Sequence, residues 1–387
     1  MWRWIVLAAA GIAIVVVGFS LLDSSSSDGV SASAAFAGVS SDITGYARAI
    51  QPWKWQFPAD FGAHPQFQTE WWYYTGNLAD ESGRRFGFQF TIFRRAILPE
   101  SQAVQSESEW RTNQVYLAHF TVSDMGGDAF HHAERFSRGG AGLAGASTDP
   151  RYHVWVGNWQ VAAQDDDAQH TTITADAGDF AVNLALEQIK PPALQGDNGL
   201  SAKSSEPGNA SYYYSLSRLL TDGTITVGGQ TYTVTGTTWK DHEFSTDALS
   251  GNTQGWDWFG LQLDDKRELM LGQIRLQSGG TEPAFGGLLI DADGTTRYLK
   301  HTDFTIDSTS TWKSPHTGAT YPAGWDITVN IGADKPLHIT LTSLLADQEL
   351  TGGTTDYWEG AVRIGGDQTG YGYAELTGYV QPMANRF

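Results

Sequence analysis

Residues 236–260 read G-T-T-W-K-D-H-E-F-S-T-D-A-L-S-G-N-T-Q-G-W-D-W-F-G, the densest grouping of acids, histidine and indoles in the chain. The stretch falls where one series of short alternating runs stops and another starts, so it marks the junction of two β-domains. Asp241, His242 and Glu243 are adjacent groups able to carry protons, and Trp239, Trp256 and Trp258 can shield them from water. In an extended strand side chains alternate, so Asp241 and Glu243 face one way and His242 the other. Only one of those sets can line a given cavity. The three are the candidate catalytic residues; the competing reading makes Asp241 and Glu243 structural ion-pair partners and His242 a hydrogen-bonded wall residue.

Outward from this stretch the pattern stays extended. Residues 70–78, E-W-W-Y-Y-T-G-N-L, and 85–94, R-F-G-F-Q-F-T-I-F-R, flank the turn A-D-E-S-G-R and form a hairpin. Further strands are expected over 115–124, 152–162, 171–175, 180–186, 212–219 and 230–235, with a proline-bearing loop at 190–208. A second series follows over 256–263, 268–276, 285–290, 325–331, 337–342, 357–364 and 372–379. Helical periodicity is nearly absent, which makes the chain all-β. A faint internal repeat pairs W-W-Y-Y-T-G-N-L-A-D with W-D-W-F-G-L-Q-L-D-D, and Y-Y-Y-S with Y-W-E-G, which two tandem antiparallel barrels explain. Expected bounds are 47–245 for the first barrel and 246–387 for the second.

At 387 residues the chain suits two cores. Its net charge of −19 argues against nucleic acid and against docking on anionic lipid through a basic patch. Cysteine is absent, which removes disulfides, thiolate metal sites and cysteine nucleophiles. Aromatic residues make up 12%, fit to wall in something flat or greasy, although well-filled β-cores use them too. Residues 1–22 carry Arg3 before an unbroken apolar run, the pattern of an export signal that is also long enough to anchor in a bilayer. The body is therefore expected outside the cytoplasm, periplasmic or anchored at the inner membrane, with 23–46 as a flexible tether.

Several chemistries are excluded. No G-x-S-x-G or H-E-x-x-H occurs, and G-A-G-L-A-G at 140–145 precedes S-T-D and Pro150 where a dinucleotide-binding helix would have to begin. His131 and His132 are adjacent in a polar stretch and are expected in a solvated loop, not on a metal. His119, in L-A-H-F, is expected as a satisfied core histidine. Glu70, directly before Trp71 and Trp72, is either a strand-end cap facing water or an acid whose pKa indoles raise, with Arg94, Arg95 and Lys240 as possible counter-charges.

Seven ordered motifs carry a family resemblance: F-P-A-D-F-G-A-H-P at 57–65, E-W-W-Y-Y-T-G-N-L at 70–78, G-F-Q-F-T-I-F-R at 87–94, G-N-A-S-Y-Y-Y-S at 208–215, W-K-D-H-E-F at 239–244, G-W-D-W-F at 255–259 and Y-W-E-G at 357–360. From residue 51 onward the chain resembles the lipocalin-like carotenoid 1,2-hydratase (hydroxyneurosporene synthase) family, in the branch labelled predicted secreted hydrolases. The resemblance implies paired lipocalin-like barrels and a long apolar polyene or isoprenoid ligand. In the hydratases water adds across a terminal C=C bond; a similar fungal cyclase branch folds a polyene between its domains. Such chemistry needs an acid, a base and a cation-stabilising aromatic wall, with no cofactor. His242 with Asp241 or Glu243 supplies the proton steps, and Glu70, Trp71, Trp72, Trp239, Trp256 and Trp258 form the binding set. The hydratases carry an acid in the strand after the histidine motif, whereas 269–276 here holds none and Glu268 lies just before it. The rival reading is a carrier that binds an apolar molecule without changing it.

Overall fold

Two features of the hairpin that opens the fold organise everything around it. At its turn Gly83 takes a φ of +86°, and the Asp80 carboxylate accepts hydrogen bonds from the backbone of Ser82 and Arg84. Along both strands Trp72, Tyr74, Leu78, Phe86, Phe88, Phe90 and Ile92 share one face and enter a single core. The other face, with Tyr73, Thr75, Asn77, Gln89 and Thr91, is buried too. A strand buried on both sides must have a second body packed against its outer face.

The computed structural model describes residues 43–103, 106–246 and 249–384. The apolar leader and most of the tether lie outside the described residues. No helix among those described is long and apolar enough to cross a membrane. The first sheet comprises β1 (Thr69–Asp80), β2 (Arg85–Ala96), β3 (Gln114–Asp124), β4 (Ala129–Arg138), β5 (Ala144–Ser147), β6 (His153–Val156), β7 (Trp159–Ala163), β8 (His170–Asp176), β9 (Phe180–Gln188), β10 (Ala193–Leu194), β11 (Leu200–Ala202), β12 (Ala210–Val227) and β13 (Gln230–Ser245). The second comprises β14 (Thr253–Leu263), β15 (Glu268–Leu276), β16 (Gly287–Ile290), β17 (Thr296–Leu299), β18 (Phe304–Lys313), β19 (Thr320–Val329), β20 (Leu337–Ser343), β21 (Glu349–Leu350), β22 (Tyr357–Gly366) and β23 (Gly370–Leu376). Both sheets are antiparallel and curl into barrel-like bodies, the tandem lipocalin-like architecture. Neighbouring strands run β4-β3-β2-β1-β13-β12-β9-β8-β7-β6-β5 in the first and β17-β16-β15-β14-β23-β22-β20-β19-β18 in the second.

Several local expectations are corrected. β13 does not stop at Thr235 but runs unbroken to Ser245, because it pairs with β12 from Gln230 onward and with β1 from Val234 onward. His131 and His132 lie on β4, not in a loop. G-A-G-L-A-G makes one 3-10 turn and leads into β5, with no helix behind it. β18 escapes sequence reading because T-I-D-S-T-S-T is polar and, apart from half-buried Ile306, exposed; β17, T-R-Y-L, is only four residues long.

The bodies meet outer face to outer face. Gly87 permits the approach, since a Cβ there would come within 2.5 Å of the Tyr373 hydroxyl. Polar contacts fix the seam: Asn77 Nδ2 donates to the Gly372 carbonyl (3.0 Å), and Ser123 Oγ to Gln348 Oε1 (2.7 Å). Glu268, on the second sheet, is fully buried and ion-paired with Lys190 (2.7 Å) and Arg218 (2.5 Å) of the first. It is the first residue of β15, where the strand expected over 268–276 places it, and it acts as a clasp. Lys190→Met is expected to lower stability by about 2 kcal/mol, the worth of a hydrogen bond to a charged group, because Arg218 still neutralises Glu268. Urea titration checks this.

Candidate functional site

β13 separates two polar networks, one on each face. Lys240, His242 and Phe244 point into the first barrel; Trp239, Asp241 and Glu243 point into the seam. Alternation thus divides the three candidate catalytic residues.

Inside the first barrel the centre is Glu70, with no solvent exposure. It accepts from Arg94 Nε (2.8 Å), the His64 backbone N–H (2.9 Å), His64 Nδ1 (2.8 Å) and His242 Nε2 (2.8 Å). His64 Nε2 reaches Asp60 (3.2 Å), and His242 Nδ1 accepts from the Tyr214 hydroxyl (3.0 Å). Trp72 stacks on His242 with ring centroids 4.9 Å apart. Neither of the two readings of Glu70 holds: it is fully buried and not a cap facing water, and its pKa is not raised. Burial does push that carboxyl up, but the Arg94 guanidinium and the two histidines outweigh it and hold it well below the usual range. Of the expected counter-charges Arg94 pairs with it. Burial brings His242 down to about 4 despite Glu70, so it is neutral at physiological pH.

Donor atoms of His64, Glu70 and His242 all lie within 4.8 Å of one another, a spacing that could hold a metal ion. Each is already hydrogen-bonded, and Arg94 occupies the second carboxylate oxygen, so the group is complete as a charge network. Lys240 sits deeper, its Nζ over the rings of Phe61 (4.5 Å) and Tyr152 (4.6 Å). Burial alone lowers its pKa to about 7.

The seam differs in character. Asp241 accepts from Tyr213 (2.8 Å), Ser215 (2.5 Å) and Trp239 Nε1 (2.8 Å), and Trp258 Nε1 donates to Tyr213 (3.1 Å). Those contacts stabilise the carboxylate, yet burial dominates and lifts Asp241 to about 7. Glu243 forms an ion pair with Lys203 (2.9 Å), the structural role that competed with catalysis for it. From the second sheet come Glu359 and Glu375, directly opposed on β22 and β23. Burial pushes Glu375 up to about 8, and burial plus the neighbouring Glu375 raise Glu359 well above the carboxylate range. Trp258 lies across from Glu375 in the strand register, while Trp71 and Trp256 are half-buried beside this cluster.

The binding candidates divide in the same way. Trp71, Trp239, Trp256 and Trp258 share the seam with Asp241, whereas Glu70 and Trp72 share the barrel interior with His242. Sequence reading missed Glu359, Glu375, Tyr73, Tyr213 and Tyr373 as members of the seam. The repeat of Y-Y-Y-S in Y-W-E-G aligns Tyr213 with Trp358 and Tyr214 with Glu359, residues that face opposite ways in the two bodies, so it gave no signal for the seam, and Y-A-E-L carries none for Glu375. His119, expected in a core, bridges the bodies through Tyr357 (2.8 Å) and Glu134 (3.1 Å).

A profile of the AttH-like family matches residues 48–379. This chain belongs to the AttH-like family. The family lies within the lipocalin-like carotenoid hydratase group that the motifs resemble. A crystal structure of a protein assigned as AttH from Nitrosomonas europaea is 34% identical, covers 87% of this chain and 100% of its own, and superposes with a TM-score of 0.75. Kievitone hydratase from Nectria haematococca shares the fold of this AttH-like protein at 15% identity, covering 84% of this chain and 93% of its own with a TM-score of 0.63. No curated protein matches the sequence.

Proposed function

We propose that this AttH-like protein is an exported, cofactor-free, hydratase-like enzyme that adds water to an alkene in an isoprenoid-type molecule held at the seam. The observation that carries this reading is the trio of buried carboxyls, Asp241, Glu359 and Glu375, held toward their protonated forms beside indole rings. A fungal hydratase of the same fold agrees with it. Export rests on Arg3 and the apolar run behind it.

The chemistry follows from the two values. At neutral pH Glu375, at about 8, is mostly protonated and gives its proton to the less substituted alkene carbon. The tertiary cation that results lies against Trp258 and Trp256, whose faces attract positive charge. Water adds to it, and its surplus proton passes to Asp241, which at about 7 is partly ionised and able to accept. Proton exchange with solvent resets both acids. In this reading His242 is a positioning residue, fixing β13 through Glu70 and Tyr214 while Asp241 works on the opposite face.

The test is incubation of the full chain with extracted carotenoids and terpenoids in heavy-oxygen water, read by mass spectrometry. Product carrying one labelled water is expected, with a rate that rises with pH through about 7 and falls through about 8. Asp241→Asn and Glu375→Gln should each slow turnover roughly a hundredfold or more. Tight binding with no change of mass would replace this reading with the carrier, and unchanged turnover in both variants would remove the seam acids from the mechanism.

A further inference from the structure

The seam has a polar floor that a hydrocarbon ligand would leave unused. Thr75, Gln89 and Thr121 stand side by side across β1, β2 and β3, opposed residue to residue in the strand register. Each is buried, at 2%, 0% and 0% exposure. The next rows on the same face both touch the second body. Asn77–Gly87–Ser123 meets Gly372, Tyr373 and Gln348, and Tyr73–Thr91–His119 meets Tyr357. The middle row is therefore covered by the seam.

Its oxygens are unpaired. Thr75 Oγ1, Gln89 Oε1 and Thr121 Oγ1 have no hydrogen-bond partner; the Gln89 amide nitrogen is committed to Thr91 Oγ1 at 2.5 Å. In the neighbouring rows the polar groups have partners: Tyr73 and Tyr357 lie against the Glu359 carboxyl, and Tyr373 against Ser123. Native interiors pair nearly all such groups, and each orphan is costly. Three of them side by side in one buried row of the interface need a partner that the surrounding side chains do not supply.

We propose that the seam binds an oxygenated molecule, an alkene bearing a hydroxyl head group, and that Thr75, Gln89 and Thr121 recognise that hydroxyl. This deepens the hydratase reading and rests on it for the alkene. A hydroxyl is required because Gln89 Oε1 only accepts, so the ligand must donate, while the threonines can donate in return. A saturated or purely hydrocarbon head would bury the row unpaired and lose that affinity. Such selection by hydrogen bonding is far sharper than selection by apolar shape.

The experiment compares geraniol, which has a hydroxyl at one end and a trisubstituted alkene at the other, with its deoxy analogue 2,6-dimethylocta-2,6-diene. Binding to the full chain is followed by calorimetry. Geraniol is expected to bind roughly tenfold more tightly or better, and Gln89→Leu with Thr121→Val should erase the difference. Equal affinity in the unaltered protein would overturn the polar-head inference while leaving the hydratase reading intact. Binding of neither would overturn both. A second readout needs no ligand: Thr121→Val should raise Tm in the free protein, since an unpaired hydroxyl is replaced by a methyl, and a fall in Tm would mean the hydroxyl was already satisfied within the fold.

Discussion

Glu375→Gln is expected to make the protein more stable, not less, in mildly alkaline solution. The Glu375 carboxyl titrates at about 8 in the fold against an ordinary value of 4.5, so folding favours its protonated form. The stability this contributes is complete below about 4.5 and is lost as pH rises through about 8. At about 1.4 kcal/mol per pH unit, that interval sets a ceiling of about 5 kcal/mol. Glu359 opposes Glu375 directly, so the two titrate as a pair and the loss is shared between them. Glutamine has the shape of the protonated acid and cannot ionise, so the variant should keep its stability where the natural protein weakens. Urea unfolding at about pH 6 and about pH 9 decides it. The natural protein should lose several kcal/mol between the two and Glu375→Gln distinctly less, the remainder coming from Asp241. Parallel losses in both proteins would show that Glu375 is ionised in the fold and would remove the general acid.

Glu70→Gln has the opposite sign. Its carboxylate is fully buried and neutralises Arg94 and, in part, His64, whose pKa is raised by Glu70 and Asp60 against the effect of burial. Removing that charge leaves a guanidinium without its counter-ion in the barrel, at a cost of about 3–5 kcal/mol. Arg94 also donates to the carbonyls of His64 (3.1 Å) and Phe67 (2.8 Å), so the backbone between them should loosen with it. Because the Glu70 pKa is depressed, its contribution is present above the ordinary 4.5 and disappears as the solution is acidified below that. Combining Glu70→Gln with Arg94→Met should cost less than the sum of the two single changes. A Glu70→Gln loss below about 1 kcal/mol would contradict the hub.

The fold was legible from two simple signals, alternation with a period of two and an internal repeat. Alternation also showed that His242 and Asp241 could not serve one cavity. It could not say which face would be wet, because here both faces are covered, and only the packing of one body on the other reveals that. Glu70 illustrates the limit. Next to two tryptophans it read either as a cap facing water or as a desolvated acid with a raised pKa, but Arg94, His64 and His242 converge on it from three places in the chain and hold it as a buried carboxylate. Glu375 was hidden for the converse reason. In Y-A-E-L it has the look of a solvent-facing strand residue, and only its position opposite Glu359 and Trp258 makes it an acid.

The seam is assembled wholly from outward-facing side chains, while each barrel is held together by its own inward-facing set. This separation has an evolutionary meaning. Substitutions at Trp71, Thr75, Gln89 or Glu359 change the surface between the bodies and leave both inward-facing sets in place. A lineage can therefore revise what the seam presents by point changes, with both scaffolds held constant. Strand duplication thus yields a protein whose chemistry is open to revision and whose architecture is not.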